Sequence, residues 1–367
     1  MKIIDIAAGT RPNFIKIASI ISNLKLQKEY NRTFKIRVIH TGQHKDYEMS
    51  GSFFAQLKID KPFKKFKLPR KGQVIKFSEI IKKYDEFINK CKKPHLVIVV
   101  GDVDSTAAIA VSAKKNKLPI AHIEAGLRCG EENMPEEINR KLTDTISNIC
   151  YTTSRQASQN LLNENISKKK ITFIGNTMID TLKLFENNIK SPTIFNSHQL
   201  NKNEYILLTI HREDNTINSF KLNKLVSIIS NFFSDTKIIF SVHPRIKNKI
   251  DKKKFKNIIF SKPFSYLEFI YLIKNSRLVI TDSGGISEET TILNIPCITL
   301  RDVTERSETV TSGTNHLVGK NLNNLKTILK KLIKSNKKSN RRRVIEKWDG
   351  NAGLRLCKDL RKRGYLN

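Results

Sequence analysis

The chain has 367 residues, 39% of them hydrophobic, and a formal charge of +33 from 67 Lys or Arg against 34 Asp or Glu. That length suits two domains of ordinary size, each with a sizeable core, while no run approaches the roughly 18 apolar residues of a membrane span. Five scattered cysteines fit neither a disulfide framework nor a zinc cluster, and the start Met1-Lys2-Ile3-Ile4-Asp5 lacks the apolar region of a signal peptide, so a soluble cytoplasmic protein without a bound metal is expected.

In chain order, four short apolar runs of the first half each end at a chemistry-bearing residue. Ile3–Ile6 leads to Gly9-Thr10-Arg11-Pro12, Ile36–Ile39 to Thr41-Gly42-Gln43-His44, Leu96–Val100 to Gly101-Asp102, and Ile120–Ile123 to Glu124-Ala125-Gly126. The second half repeats the pattern. Ile206–Ile210 leads to His211-Arg212, Ile238–Val242 to His243-Pro244-Arg245, Leu278–Thr281 to Asp282-Ser283-Gly284-Gly285, and Cys297–Leu300 to Arg301-Asp302. Val/Ile/Leu runs without alternation suit strands buried on both faces of a parallel sheet. Helices are expected between them at 14–24, 77–91, 106–115, 139–148, 219–232, 266–274 and 322–333, with a late strand at 171–174. Residues 187–203 carry Asn, Ser, Pro and Lys without periodicity and read as a linker. In open α/β sheets, ligands bind beyond the carboxyl ends of the strands. The expected architecture is therefore α/β: two facing Rossmann-like domains with a site in the cleft between them. Their expected bounds are 1–180 and 204–345, with a terminal segment at 346–367.

The motifs carry phosphate and acid–base chemistry. In Asp282-Ser283-Gly284-Gly285-Ile286-Ser287-Glu288-Glu289, a strand ends and a helix begins, so backbone N–H groups and the Ser283 hydroxyl are expected to bind phosphate. Glu288 and Glu289 are expected in that helix's first turn, one of them within reach of a ribose diol. Arg11 and Lys16 are expected to oppose phosphate charge. Asp102, Glu124 and Glu136 form a carboxylate set suited to proton transfer at carbon, the bland alternative being salt bridges to Arg128 or Arg140. His211 and His243 end strands without metal-ligand company. There is no nucleophile elbow, Walker loop or dinucleotide fingerprint.

The charge has no reading motif attached. Residues 321–367 hold 15 Lys or Arg against three acids, yet no zinc-finger, RNP or helix-turn-helix pattern accompanies them. No sequence-specific nucleic-acid partner and no integral membrane association are expected. An anionic nucleotide would gain steering from the field.

Together these segments resemble the non-hydrolysing UDP-N-acetylglucosamine 2-epimerases. The matching stretches are GTRPNFIK (9–16), TGQH (41–44), GDVDS (101–105), HIEAGLR (122–128), PEEINRKLTD (135–144), GNTMIDTL (175–182), HREDN (211–215), HPR (243–245), DSGGISEE (282–289), RDVTERSE (301–308) and WDGNAG (348–353). The resemblance covers essentially the whole chain. It implies the GT-B fold, with the final helix packing back on the first domain, a UDP-sugar substrate, a homodimer and no cofactor. It also implies a reaction: UDP is eliminated with loss of the C2 proton, then re-added after reprotonation on the other face. By resemblance Asp102, Glu124 and Glu136 are the acid–base groups and His211 steadies the leaving diphosphate with Arg11 and Lys16. Ser283, Gly284, Gly285 and Glu289 hold the diphosphate and ribose, and His243 and Arg301 join the UDP-binding set. Gln43 and His44, with His243, match positions tied to a second, activating UDP-N-acetylglucosamine, although Lys45-Asp46 departs from that pattern. Asn13, Asp214 and Ser287 stand where glutamate, glutamate and glutamine are usual. The resemblance leaves three alternatives open: a UDP-diacetamido-glucuronate 2-epimerase, the hydrolysing relative that releases N-acetylmannosamine, and a retaining glycosyltransferase. A basic nucleic-acid-binding protein is the reading from outside enzymology.

Overall fold

A computed structural model describes residues 1–43, 54–69, 72–319, 322–334 and 344–367, apart from the side chains of 213–214, 322–323 and 332–334. The chain divides into two compact units, Met1–Leu184 with Glu346–Asn367, and Phe185–Ile345.

The first unit is built on a seven-stranded parallel sheet in the order β3-β2-β1-β4-β5-β6-β7. Its strands are β1 (Lys2–Ala8), β2 (Phe34–His40), β3 (Lys64–Lys65), β4 (Leu96–Val100), β5 (Ile120–Ala125), β6 (Ile149–Thr152) and β7 (Ile171–Phe173). β4, with sequence LVIVV, is buried at all five positions. The second unit has six parallel strands in the order β10-β9-β8-β11-β12-β13. These are β8 (Tyr205–Ile210), β9 (Lys237–Val242), β10 (Ile258–Ser261), β11 (Leu278–Thr281), β12 (Cys297–Thr299) and β13 (Asn315–Leu317). Each sheet has the doubly wound order, in which the first strand of the unit lies beside the fourth. The connections reverse direction there, between β1 and β4 and between β8 and β11. Such a switch point opens a crevice at the carboxyl ends of the two strands. Two Rossmann-like α/β units of this kind make up the GT-B fold class.

The helices lie broadly where the sequence places them, with shifted ends. The helix Gln73–Lys90 starts four residues before the expected Phe77, and Pro135–Ile146 starts four before Asn139. Pro135 sits in the first turn, where its missing N–H costs nothing. The stretch 187–203 is not a bare linker. It contains the helix Thr193–Ser197, with Phe195 and Leu200 buried in the second unit.

Chain termini meet within the first unit. The last helix, Ala352–Lys362, packs on the helices Arg11–Lys25 and Thr177–Leu184. Trp348 Nε1 donates to Thr153 O at 3.1 Å, and Asp180 Oδ2 accepts from Gly353 N at 2.7 Å, capping that helix. Four residues upstream of Gly9, buried Asp5 is gripped by Arg37 through two bonds of 2.6 and 3.0 Å and by Tyr84 Oη at 2.9 Å. Among the described residues, no helix is long and apolar enough to cross a membrane.

Candidate active site

In the first unit the candidate residues gather at the β1/β4 switch point. Asn13, where glutamate is usual, is a clip. Its Oδ1 accepts from Gly9 N, Thr10 N and Thr10 Oγ1 at 3.0–3.2 Å, and its Nδ2 donates to Val100 O at 3.0 Å. The loop after β1 is thereby tied to the end of β4. Arg11 follows as the first, half-buried residue of the helix.

Glu124 leaves β5 through a β-bulge. Ile123 pairs with Tyr151 and Ala125 with Thr152, so Glu124 is the extra residue, and its φ is +68°. A non-glycine residue in this region costs on the order of 1–3 kcal/mol, and such strain clusters at functional sites. The bulge re-aims the side chain. The Glu124 carboxylate meets the Lys16 ammonium, and both groups are buried. Lys16, which the sequence places opposite phosphate, has Glu124 as its counter-ion in this structure, because the bulge turns the carboxylate toward it.

Asp102 is similarly matched. Its Oδ2 accepts from Arg140 Nη1 at 2.6 Å. Arg140 is among the largest fully buried side chains, and its Nε donates to Glu137 Oε2 at 2.9 Å. The bland alternative thus holds in part, with Arg140 as partner of Asp102 and Glu137. Glu136 sits in the first turn of the helix Pro135–Ile146, half-buried, and pairs with no basic group among the described residues. Gln43 Oε1 accepts from Ser105 N at 3.0 Å and Ser105 Oγ at 2.5 Å, at the start of the helix Asp104–Lys115. His44 lies outside the described residues.

In the second unit the residues gather at the β8/β11 switch point. Asp282, wholly buried, ends β11 and collects four donors. They are His211 N at 3.0 Å, Arg212 N at 2.9 Å, Asn215 Nδ2 at 3.2 Å and His211 Nδ1 at 2.7 Å. Burial alone would push this carboxyl up. The hydrogen bond and charge of His211, with the two backbone N–H groups, more than offset it and hold Asp282 below the usual carboxylate range. With Nδ1 fixed, the half-exposed His211 ring presents Nε2 outward, and the His243 ring lies 6.1 Å away, centroid to centroid.

The helix Gly284–Ile292 follows, with Ser283 as its N-cap residue. A Cβ on Gly284 would lie 2.8 Å from Arg306 Nη1 and 2.9 Å from Glu305 Oε1, so a side chain there would have to displace these charged groups. Glu288 and Glu289 fall in the second turn, not the first, because the helix begins at Gly284 itself. Both are buried, and the Glu288 carboxylate forms an ion pair with Arg306, 3.0 Å from its Nε. Arg301 Nη2 pairs with Glu305 Oε2 at 3.1 Å, and Glu305 also meets Arg306. Beside this buried charge cluster, the helix N-terminus with its backbone N–H groups is what favours an anion.

Several candidate residues carry no functional role in the sequence reading: Arg140, named there only as a salt-bridge partner, Asp282, named only as the start of its motif, and the fully buried pair His122 and Asp144. Each is a charged group inside an otherwise apolar or helical stretch, and that contrast was the available signal. Among the described residues, no group of three or more His, Cys, Asp or Glu side chains is placed to hold a metal ion.

Comparison with known proteins agrees along the chain. The family described as UDP-N-acetylglucosamine 2-epimerase matches residues 26–361. A UDP-N-acetylglucosamine 2-epimerase homolog of Methanococcus maripaludis is 40% identical, covering 98% of this chain and 99% of its own. The UDP-2,3-diacetamido-2,3-dideoxy-D-glucuronate 2-epimerase of Pseudomonas aeruginosa is 39% identical over 87% of this chain and 88% of its own. The crystal structure of Methanocaldococcus jannaschii UDP-GlcNAc 2-epimerase in complex with UDP-GlcNAc and UDP has a TM-score of 0.85 at 37% identity, covering 99% of this chain and 100% of that one. With the family match running over residues 26–361 and relatives near 40% identity along the whole length, the chain belongs to the UDP-N-acetylglucosamine 2-epimerase family.

Proposed function

We propose that the protein interconverts UDP-N-acetylglucosamine and UDP-N-acetylmannosamine without net hydrolysis, supplying the latter for surface polysaccharide. The observation that carries this reading is the placement of Asp102 and Glu124 at the β1/β4 switch point, each with its own cation. Proton transfer at carbon needs carboxylates positioned within reach of the proton.

In the proposed reaction, one carboxylate of the set Asp102, Glu124 and Glu136 takes the C2 proton. The C–H electron pair forms the C1–C2 double bond, and the C1–O bond breaks toward the diphosphate. UDP departs with the C1–O electron pair, leaving 2-acetamidoglucal. Reprotonation of C2 on the opposite face and return of UDP to C1 complete the cycle. His211, held by Asp282, and Arg11 steady the departing diphosphate. Ser283 and the N–H groups of Gly284 and Gly285 bind it, with His243, Glu289 and Arg301 completing the UDP site. Preorganised donors aimed at developing charge supply catalysis of this kind. Lys16 acts through Glu124. Gln43 and His44 are assigned to a second, activating nucleotide-sugar site. A cytoplasmic homodimer without a specific nucleic-acid partner completes the proposal.

A second reading rests on the Pseudomonas relative at 39% identity: the same chemistry on a diacetamido-uronate sugar. Proton NMR in deuterated water tests both. Deuterium should enter C2 and both UDP-N-acetyl epimers should reach equilibrium. Accumulation of free N-acetylmannosamine would move the protein to the hydrolysing class, and turnover of the uronate analogue alone would favour the second reading.

A further inference from the structure

His122 on β5 and Asp144 in the helix Pro135–Ile146 are both wholly buried, and the proposed reaction uses neither. His122 Nδ1 lies 2.7 Å from Asp144 Oδ1, and Nε2 lies 2.8 Å from the Gly101 carbonyl oxygen. A carbonyl and an ionised carboxylate only accept. Each ring nitrogen thus has one oxygen within hydrogen-bond distance. On the far side, Asp144 Oδ2 accepts from Gly126 N at 3.0 Å and pairs with Arg128 Nη2 at 2.8 Å. Burial alone would raise the Asp144 carboxyl. His122, through charge and hydrogen bond, then Arg128 and the Gly126 N–H, outweigh it and keep this carboxyl below the usual range.

The end points of this chain of bonds are informative. Gly101 immediately precedes Asp102, and Gly126 stands two residues beyond Glu124. Gly126 has φ +81°, and a Cβ there would lie 2.1 Å from Ala157 O, so its loop is tightly seated. One imidazole therefore ties the loop carrying Asp102 to the loop carrying Glu124. We infer that His122 and Asp144 form a clasp that sets the spacing of Asp102 and Glu124 for proton transfer at C2. The inference rests on the epimerase reading given above. Both ring nitrogens are committed inside the unit, so His122 is a positioning residue and not an acid or base. An apolar pair of the same volume would often be as stable as a buried ionic one, but it could not hold a carbonyl and an N–H in fixed directions. Displacing a catalytic group by about 1 Å can cost about 100-fold in rate.

Two substitutions divide the clasp. In His122→Gln the amide nitrogen reaches toward Gly101 and the Asp144 bond is lost. In His122→Asn the amide nitrogen reaches Asp144 and the Gly101 bond is lost. Each should lower kcat by ~10–100-fold, with KM and UDP affinity changed less than threefold. Deuterium entry at C2 should fall in parallel. Arg128→Gln probes the outer edge with less core disturbance and should lower kcat ~3–10-fold, which keeps the test alive if the histidine variants do not fold. Tyr84→Phe is the control: it removes a buried hydroxyl from Asp5 in the same unit and should lower Tm without lowering kcat. Variants of His122 or Arg128 that lose Tm as the control does but keep kcat within twofold overturn the clasp. A wild-type protein inert on both UDP sugars, with no deuterium entry, overturns the epimerase reading and the clasp's role with it.

Discussion

Asp282→Asn is the sharpest perturbation of the candidate residues in the second unit. The wild-type carboxylate receives His211 N, Arg212 N, Asn215 Nδ2 and His211 Nδ1, all within 3.2 Å. Asparagine keeps one acceptor oxygen and turns the other into an NH2 group that faces N–H donors. Hydrogen bonds to a charged group are worth about 1.5–3 kcal/mol each, and two or so would be lost. A destabilisation of roughly 3–5 kcal/mol follows, large for a single substitution. The His211 ring also loses the partner that fixes its orientation. If it donates to the leaving diphosphate, turnover should fall about 10²–10³-fold, the usual cost of one preorganised donor. Urea unfolding, kcat at saturating substrate and UDP titration read the three effects separately. The pH dependence has a defined sign. A carboxyl held low in the folded state contributes stability that is present above its ordinary value of about 3.9 and is lost as pH falls through the folded value. The wild-type protein should therefore lose this increment on acidification below about pH 4, and the variant should not. An Asn variant with wild-type urea midpoint and kcat within threefold would refute the assignment of Asp282 as the holder of His211.

Asp102→Asn, Glu124→Gln and Glu136→Gln should each cut turnover at least ~100-fold while UDP binding survives, since amides keep the shape but move no proton; near-normal turnover in one of them marks that residue as structural. Burial pushes Asp180 up to about 6 from an ordinary 3.8. Its favourable contribution is then complete below about pH 4 and lost as pH rises through about 6, a span worth about 2–3 kcal/mol. The stability difference between wild type and Asp180→Asn should shift by that amount between pH 4 and 7, and a pH-independent difference would contradict the assignment. Replacing Arg341, Arg342 and Arg343, which lie outside the described residues, by glutamine should leave kcat nearly unchanged at moderate salt. Duplex binding should be weak, sequence-independent and abolished by salt, and tight binding with sequence preference would promote the nucleic-acid reading.

The sequence shows some features of this fold far better than others. Leu96–Val100 and Leu278–Thr281 are legible to the residue, because burial on both faces leaves an unbroken apolar run. β13, with sequence NHL, and β3, two exposed lysines at a sheet edge, carry no such run and are defined by their neighbours' hydrogen bonds. The carboxylates Asp102, Glu124 and Glu136 stand out at strand and helix ends. Their counter-ions do not, since Lys16 is 108 residues from Glu124 and Arg140 is 38 from Asp102. The bulge at Glu124 leaves no mark either, because Ile123 and Ala125 flank it as they would in a regular strand. The first-turn placement of Glu288 and Glu289 failed for a simpler reason: two glycines read as a loop, and they are the first helical residues.

The charge excess can now be located. Lys16, Arg37, Arg128, Arg140, Arg301 and Arg306 are largely withdrawn from solvent, and each faces a carboxylate. The site chemistry therefore consumes basic residues in matched pairs and contributes little to the net +33. The surplus lies on exposed side chains such as Lys64, Lys65 and Lys252–Lys254. Charges of that kind act through a screened field with a Debye length of about 8 Å at physiological ionic strength. They can speed the arrival of a dianionic nucleotide sugar without taking part in the bond changes. The two groups of cations therefore differ in place: buried ones lie against the candidate carboxylates, and exposed ones act on the approach of the substrate.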